Sequence, residues 1–152
     1  MNVWMQWGVG MDNLIVECRL GEYLEALIMP EGRASVGGRR EVFAPNSCEW
    51  PSTGISLLTE HRGQEIAKVW PSRVGTEIRI KTKATPEIRA AYQSKPCMSI
   101  EFIALDDVIT AGGIREIRQA MIRGVAMVAR GEYPTKAEIR SRSDIRRWHY
   151  LL

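Results

Sequence analysis

Short apolar segments separated by glycine and proline occupy the first two thirds of the chain, and they limit what it can fold into. Each segment is long enough for a β-strand but too short for an ordinary helix. The segments are Leu14–Cys18, Tyr23–Met29, Gly54–Leu58, Glu65–Trp70, Thr76–Lys81 and Met98–Ala104. We therefore predict a mainly β fold. With 152 residues, 45% of them apolar, the chain has the size and composition of one domain with its own core.

One strand and one helix are predicted most clearly. Residues 76–82 read Thr-Glu-Ile-Arg-Ile-Lys-Thr, and this alternation of apolar and charged residues is typical of a strand with one buried face. A helix is then predicted through Gln93, with Thr85 as its cap and Pro86 at its first position. Its apolar residues at helical spacing are Ile88, Ala91 and Tyr92.

The last third of the chain is harder to interpret. Apolar residues after Gly113 recur at spacings of three and four, which is typical of a helix, yet residues 125–128 after Gly124 also suit a buried strand. The apolar residues in question are Ile114, Ile117, Met121, Val125 and Val128. A final helix is predicted from Pro134 through Arg146, with Thr135 as its cap.

Cysteine count and hydropathy bear on where the protein works. Cys18, Cys48 and Cys97 are odd in number and widely spaced, unlike a zinc site or a disulfide scaffold, so we expect a reducing cytoplasm. No apolar run approaches the roughly 20 residues that span a bilayer, and no signal peptide is evident, so we expect a soluble protein without a membrane partner. Residues 1–10 are unlike the rest of the chain and are assigned to an uncertain N-terminal extension, with Met11 as an alternative start and residues 11–152 as one domain.

Charge gives little support for nucleic-acid binding. The net charge of +3 is dispersed along the chain. The densest basic cluster lies near the C-terminus and consists of Arg140, Arg142, Arg146 and Arg147. This cluster fits a solvated helix or tail, and the alternative is contact with nucleic acid or an acidic partner.

The two histidines are the candidates for a general base. His61 follows an apolar segment and precedes a predicted turn, so its imidazole can face a cleft and exchange a proton near neutral pH; a surface or capping histidine fits the same position. His149 lies at the extreme C-terminus, where chains usually fray, so we give it little catalytic weight.

Ser99 stands out among the serines because Pro-Cys-Met precedes it and the apolar stretch Ile-Glu-Phe-Ile-Ala follows it. Such a serine is either a core hydroxyl bonded to backbone or a nucleophile held on a strand. The spacings typical of metal sites are missing from the sequence, and the glycines of residues 32–38 lack a Walker lysine and fit a turn. We predict no metal and no cofactor.

Four segments, in order, resemble the prohead (head-maturation) proteases of tailed bacteriophages, which share a fold with the herpesvirus assemblin proteases. Residues 41–45 (Glu-Val-Phe-Ala-Pro) resemble a family segment that usually continues with glycine, where this chain has Asn46. Residues 55–61 resemble the strand that ends in the catalytic histidine, and residues 98–102 (Met-Ser-Ile-Glu-Phe) resemble the nucleophile strand. Residues 117–128, followed by Tyr-Pro, are similar to the closing segment of the family.

The resemblance implies a β-barrel with surrounding helices, a herpesvirus-protease-like fold, and favours a strand over residues 123–128. It also implies serine endopeptidase activity, with Ser99 as nucleophile and His61 as general base. The chain departs from the family at the third catalytic position, where Gly124 has no side chain. Glu101 is the candidate third member because it lies on the same strand face as Ser99, and Glu116 is a second candidate. The arginine pair that helps bind the oxyanion in herpesvirus enzymes is not matched.

By the resemblance, the enzyme would cleave scaffold and capsid-protein extensions of a phage during head maturation. It would work in the host cytoplasm, inside the immature procapsid, with the major capsid protein and scaffold as partners, and a homodimer is a reasonable expectation. The alternative is a catalytically inactive protein of the same fold that binds scaffold or capsid protein, which the missing side chain at position 124 motivates. A basic β-barrel that binds nucleic acid is a weaker third possibility.

Overall fold

A computed structural model describes residues 22–140 of the chain, and these form a mainly β structure with one short helix. The strands are β1 (Tyr23–Pro30), β2 (Glu41–Phe43), β3 (Cys48–Glu49), β4 (Ile55–Leu58), β5 (Glu65–Val69), β6 (Ser72–Val74), β7 (Glu77–Lys83), β8 (Cys97–Ile109), β9 (Arg115–Val128) and β10 (Ala137–Arg140), and the helix is α1 (Pro86–Ser94). Within this part of the chain, every predicted strand segment is confirmed. The segment Leu14–Cys18 lies outside the described residues.

The strands form two open sheets. One sheet has the order β10-β1-β7-β6 and is antiparallel throughout. The other is organised around β9, which pairs along its length with antiparallel β8 and on its other edge with β2, β3 and β4 in series, all parallel to it. β5 completes this sheet beside β4. The predicted barrel does not close within residues 22–140, and the predicted surrounding helices are represented there by α1 alone.

One apolar core lies between the two sheets. Leu24, Ile28 and Ile80 contribute from the first sheet and Leu57, Val125 and Met127 from the second, all at most 2% exposed. Because each such side chain contributes about 1.5–3 kcal/mol when fully buried, this core is the main force that holds the sheets together. The packing fixes β8, β9 and β4 relative to each other.

The predicted helix after β7 is confirmed as α1. Thr85 caps it, since its hydroxyl oxygen accepts the backbone N–H of Ile88 at 3.3 Å, and Pro86 begins it. Ile88 is the helix residue that is fully buried. Neither α1 nor any other helix in residues 22–140 has the length and hydropathy needed to cross a membrane.

The helix predicted from Pro134 through Arg146 is wrong where the structure describes it. Residues 137–140 form β10, which pairs antiparallel with β1, and the backbone N–H of Ala137 donates to the carbonyl of Pro96 at 2.8 Å. Ala137 and Ile139 face inward while Glu138 and Arg140 are exposed, which is the period-two burial of a strand. Residues 141–146 of the predicted helix lie outside the described part of the chain.

The ambiguous segment after Gly113 is a strand, as the resemblance implies for residues 123–128. β9 runs from Arg115 to Val128, and its pairing with β8 shifts register at three places. Two of these shifts add a residue to β9, at Arg118 and Arg123, and displace its inward-facing positions by one, so Ile117 and Ala120, three residues apart, are both buried. The inward-facing residues are therefore spaced by three and two in turn, and they are Ile117, Ala120, Ile122, Val125 and Met127.

Candidate active site

β8 places Ser99 and Glu101 next to each other on one face of the second sheet. Side chains two residues apart on a strand point to the same side, and here they point away from the core. Met98 and Ile100 point inward and are at most 9% exposed, which anchors the strand. The outward-facing pair is therefore held on a rigid element.

A turn after β4 carries His61 toward this pair. The turn is fixed by a hydrogen bond from the Gly63 N–H to the Glu60 carbonyl at 2.9 Å and by one from the Lys95 ammonium to the Thr59 carbonyl at 3.0 Å. Arg62 has φ of 60°, the left-handed region that residues other than glycine seldom adopt. Tight turns of this kind fix the direction in which a neighbouring side chain points.

The space between the turn and β8 is kept open by two small residues of β9. Gly124 pairs with Ser56 of β4 on one side and Glu101 of β8 on the other, and Ala126 lies in the same way between Leu58 and Ser99. Because directly paired residues share a face, no long side chain of β9 stands between β4 and β8 there. His61 can therefore reach across the strand.

The imidazole of His61 lies between the serine and the carboxylate. Its Nε2 is 2.9 Å from the Ser99 hydroxyl oxygen, and its Nδ1 is 3.0 Å from Oε2 of Glu101. The backbone N–H of Arg62 donates to the same Oε2 at 3.2 Å. With the proton on Nδ1 bonded to Glu101, Nε2 has its lone pair free to accept the Ser99 proton. This is the arrangement of a serine, a base and a carboxylate that activates a hydroxyl nucleophile.

The sequence candidates thus divide into two groups. The structure brings Ser99, His61 and Glu101 together within hydrogen-bond distance. Glu116 lies far along β9, opposite Val108, and its carboxylate accepts a hydrogen bond from Arg118 at 2.8 Å. His149 lies outside the described residues.

Gly124 has no side chain, and this leaves room on β9 for the carboxylate of Glu101 from the neighbouring strand β8. A Cβ on residue 124 would lie 3.5 Å from Oε1 of Glu101 and 3.3 Å from the carbonyl oxygen of Ser56. A larger side chain would occupy the space that the Glu101 carboxylate now fills. The carboxylate beside His61 therefore comes from β8, and the glycine on β9 leaves room for it.

Two cavities adjoin these residues. An open cavity of about 490 Å³ is lined by Arg39, His61, Arg62, Ile100, Glu101 and Phe102. A much smaller one, about 20 Å³, is lined by Ser99, Arg39, Glu41, Phe43, Glu132 and Tyr133, among others, and is large enough for about one water molecule. Arg39 borders both cavities. No sequence pattern indicates this role, because Arg39 directly follows the glycine-rich stretch that is predicted to be a turn.

A buried polar pair forms one wall of the small cavity. The Tyr133 hydroxyl donates to Oε1 of Glu41 at 2.9 Å, and Arg115 donates to Oε2 of the same carboxylate at 3.0 Å. Burial, reinforced by the adjacent Glu41 carboxylate, raises the pKa of Tyr133 above its ordinary value, so the phenol stays protonated and acts as a donor. The pair joins β2 to the segment after β9 and shapes the site beside Ser99.

The buried thiol of Cys48 is not suited to chemistry. Burial raises the pKa of the Cys48 thiol to about 12, so it is not a nucleophile at neutral pH. Residues 22–140 contain no group of three or more His, Cys, Asp or Glu side chains placed to hold a metal ion.

Comparison of the chain with protein-family models, with curated proteins and with solved structures yields no match.

Proposed function

We propose that this protein is a serine endopeptidase in which Ser99 is the nucleophile, His61 the general base and Glu101 the residue that orients the base. The observation that carries the proposal is the pair of hydrogen bonds on His61, 2.9 Å to the Ser99 hydroxyl and 3.0 Å to the Glu101 carboxylate. A serine hydroxyl is a weak nucleophile without such a base. His61 and Glu101 line an open cavity that can receive a peptide, and Ser99 lines the small cavity beside it.

The reaction follows from this geometry. His61 Nε2 takes the hydroxyl proton while the Ser99 oxygen bonds to a peptide carbonyl carbon, which forms a tetrahedral oxyanion. His61 then gives that proton to the departing amine, the C–N bond breaks, and an acyl-enzyme ester remains on Ser99. Water, deprotonated by His61, attacks the ester and releases the acid, and His61 returns the proton to Ser99.

Glu101 acts through His61. Its carboxylate accepts the Nδ1 proton, which selects the tautomer whose Nε2 faces Ser99, and it stabilises the imidazolium that forms in each step. The Arg62 backbone N–H holds the same oxygen in place without competing for the imidazole. Glu101 is therefore a positioning residue rather than a proton acceptor.

The resemblance to prohead proteases supports a more specific role, because the four similar segments meet in space. His61 of the second segment contacts Ser99 of the third, and Tyr133 after the fourth donates to Glu41 of the first. Asn46 has φ of 64°, a conformation that glycine adopts freely and asparagine tolerates, so asparagine fits the place where the prohead proteases usually have glycine. We accordingly propose a herpesvirus-protease-like fold for the two-sheet structure.

On this proposal, the substrates are scaffold and capsid-protein extensions, cleaved inside the immature procapsid in the host cytoplasm, with a homodimer as an expected assembly. Co-expression of the full chain with the capsid protein of the same phage tests the role, with cleavage measured by mass spectrometry. Cleavage by the wild type that Ser99→Ala abolishes is the expected result. Association with capsid protein or scaffold without cleavage would instead favour the inactive assembly protein.

A further inference from the structure

The open cavity beside His61 is lined by two arginines. Arg39 and Arg62 border it from two different loops, the β1–β2 loop and the β4–β5 turn, and Ile100 and Phe102 supply apolar surface. Glu101 is the one acidic residue of the lining, and its Oε2 is already bonded to His61 and to the Arg62 N–H. Positive charge in the cavity therefore exceeds negative charge.

The loop that carries Arg39 is attached to the body of the protein. The backbone N–H groups of Val36 and Gly37 both donate to the carbonyl of Glu132, at 2.6 and 3.3 Å. A Cβ on Gly37 would overlap the Glu132 carboxylate, so the loop backbone lies directly against that side chain. Arg39 is thus placed at the cavity by a supported loop rather than by a free surface segment.

Neither guanidinium is held in an ion pair within residues 22–140. Arg73 and Arg115 form ion pairs with buried carboxylates, whereas Arg39 and Arg62 form no ion pair and no side-chain hydrogen bond with the described residues. Glu41 and Glu132 border the small cavity together with Arg39, but the Glu41 oxygens accept from Tyr133 and Arg115, and the buried Oε2 of Glu132 has no hydrogen-bond partner. Both arginines can therefore donate to a ligand that enters the open cavity.

A peptide can reach this cavity along β8. The outer edge of that strand is bonded near its start, where Cys97 bridges Lys136 and the Met98 N–H donates to Thr135, but no strand within residues 22–140 pairs with it from Ser99 onward. An unpaired edge can receive an extended peptide as an added strand. Side chains of a peptide bound there would alternate toward and away from the cavity.

We propose that the substrate presents an aspartate or glutamate side chain, close to the scissile bond, to the open cavity between Arg39 and Arg62. This inference rests on the proposed function and specifies its substrate. A carboxylate accepts two parallel hydrogen bonds from a guanidinium, and such charge-assisted bonds are about twice as strong as neutral ones. A cavity with two unpaired arginines and an apolar floor therefore selects an acidic side chain over its amide analogue.

Matched peptide libraries test the inference. Members differ only by Glu or Gln, or by Asp or Asn, at each position around candidate cleavage sites, and mass spectrometry gives kcat/KM for each. The wild type should favour acidic members by about 10- to 100-fold, the discrimination expected from a hydrogen bond to a charged group. Arg39→Gln and Arg62→Gln should each reduce that preference, and Arg33→Gln, an exposed residue of the same loop that lines neither cavity, should leave it unchanged.

A charge-reversal variant makes the test independent of folding losses. Arg39→Glu should shift the preference from acidic toward lysine-containing peptides, which a misfolded variant cannot do. Cleavage by the wild type without acidic preference, or a preference that survives in both arginine variants, would overturn this inference and leave the protease proposal standing. Failure of the wild type to cleave any member, with no reaction of Ser99 with a phosphonate, would overturn both.

Discussion

Two carboxylates organise two regions of this molecule, and they differ in exposure. Glu31 has a fully buried side chain and accepts four hydrogen bonds, from two backbone N–H groups and from the guanidinium of Arg73 at 2.9 and 3.2 Å. Glu101 has a side chain about one-third exposed and accepts hydrogen bonds from His61 and from one backbone N–H. The first carboxylate connects the end of β1 with β6, with β3 and with the loop that precedes β3. The second contacts the imidazole of His61 at the surface.

The contrast separates stability from activity. Removing a charge from a buried, fully bonded site leaves its partners desolvated and unpaired, which destabilises the fold. Removing a charge from a solvent-accessible site costs little stability, because water replaces the lost bonds. The Glu31 site should therefore tolerate substitution poorly and the Glu101 site well, whereas peptide hydrolysis should depend on the second.

The largest expected effect is the loss of peptide hydrolysis in the variants Ser99→Ala and His61→Ala. Each should lower kcat by up to about 10⁶-fold, since catalytic residues that act as a unit lose nearly all turnover when one is removed. The double variant should be no slower than either single variant. Peptide hydrolysis and thermal unfolding are measured on the same samples. A large fall in the unfolding midpoint of either variant would contradict the prediction that these residues affect activity and not stability.

A paired substitution compares the two carboxylates directly. Glu101→Gln should reduce kcat by about 10⁴-fold, because the amide favours the wrong imidazole tautomer. Its free energy of unfolding should change by less than about 1 kcal/mol, as for an exposed ion pair. Glu31→Gln should instead lower the free energy of unfolding by about 3 kcal/mol, the low end for a broken buried pair, since the Arg73 side chain remains 28% exposed.

Urea denaturation and steady-state kinetics on both variants provide the measurements. Equal stability losses in the two variants would contradict the comparison. So would unchanged hydrolysis in Glu101→Gln.

Acid should affect the Glu31 region through its own titration. Burial by itself raises the pKa of Glu31, but the hydrogen bonds and charge of Arg73 and the two backbone donors outweigh it, and the net pKa lies below the ordinary value of 4.5. A depressed folded-state pKa contributes stability that is present above pH 4.5 and lost as the pH falls through the folded value. The free energy of unfolding of the wild type should therefore fall more steeply below pH 4.5 than that of Glu31→Gln. If the free energy of unfolding fell equally with pH in the wild type and in Glu31→Gln, the titration of Glu31 would not contribute to acid sensitivity.

The smallest effect is expected at Gly124. A methyl group there meets the Ser56 carbonyl at 3.3 Å and Glu101 at 3.5 Å, so Gly124→Ala should cost about 1 kcal/mol or less and reduce kcat by less than about tenfold. Gly124→Leu should displace the Glu101 carboxylate and approach the activity of Glu101→Gln. Kinetics of the two variants provide the test, and full activity in Gly124→Leu would show that Glu101 does not orient His61.

The sequence is informative about the Glu101 region and uninformative about the Glu31 region. Period-two alternation locates β7, and capping chemistry locates α1, because both patterns are local. Ser99, His61 and Glu101 are distinguished by their places in strand-like segments and by resemblance. Glu31 and Arg73, in contrast, are 42 residues apart and follow no local pattern, so only the folded chain shows that they meet.

The wrong helix prediction over residues 134–146 and the ambiguity of residues 114–128 have similar physical causes. The alternation of residues 137–140 is visible in the sequence, but a threonine cap and helical spacing over a longer window favour a helix. Tertiary pairing with β1 decides the outcome. In β9 two register shifts replace the period-two burial of a regular strand with alternating spacings of three and two, which no periodicity argument can recognise without the partner strand. The position of Arg39 depends on a loop contact with Glu132, which is equally invisible in the sequence.

The central claim, that His61 held by Glu101 activates Ser99, is tested most directly by the rate at which a peptidyl phosphonate reacts with the protein. Phosphonylation measured by intact-mass and peptide mass spectrometry should modify Ser99 alone in the wild type. It should be slower in Glu101→Gln and undetectable in His61→Ala and Ser99→Ala. An unmodified Ser99 in the wild type, or equal rates in the wild type and His61→Ala, would contradict the account.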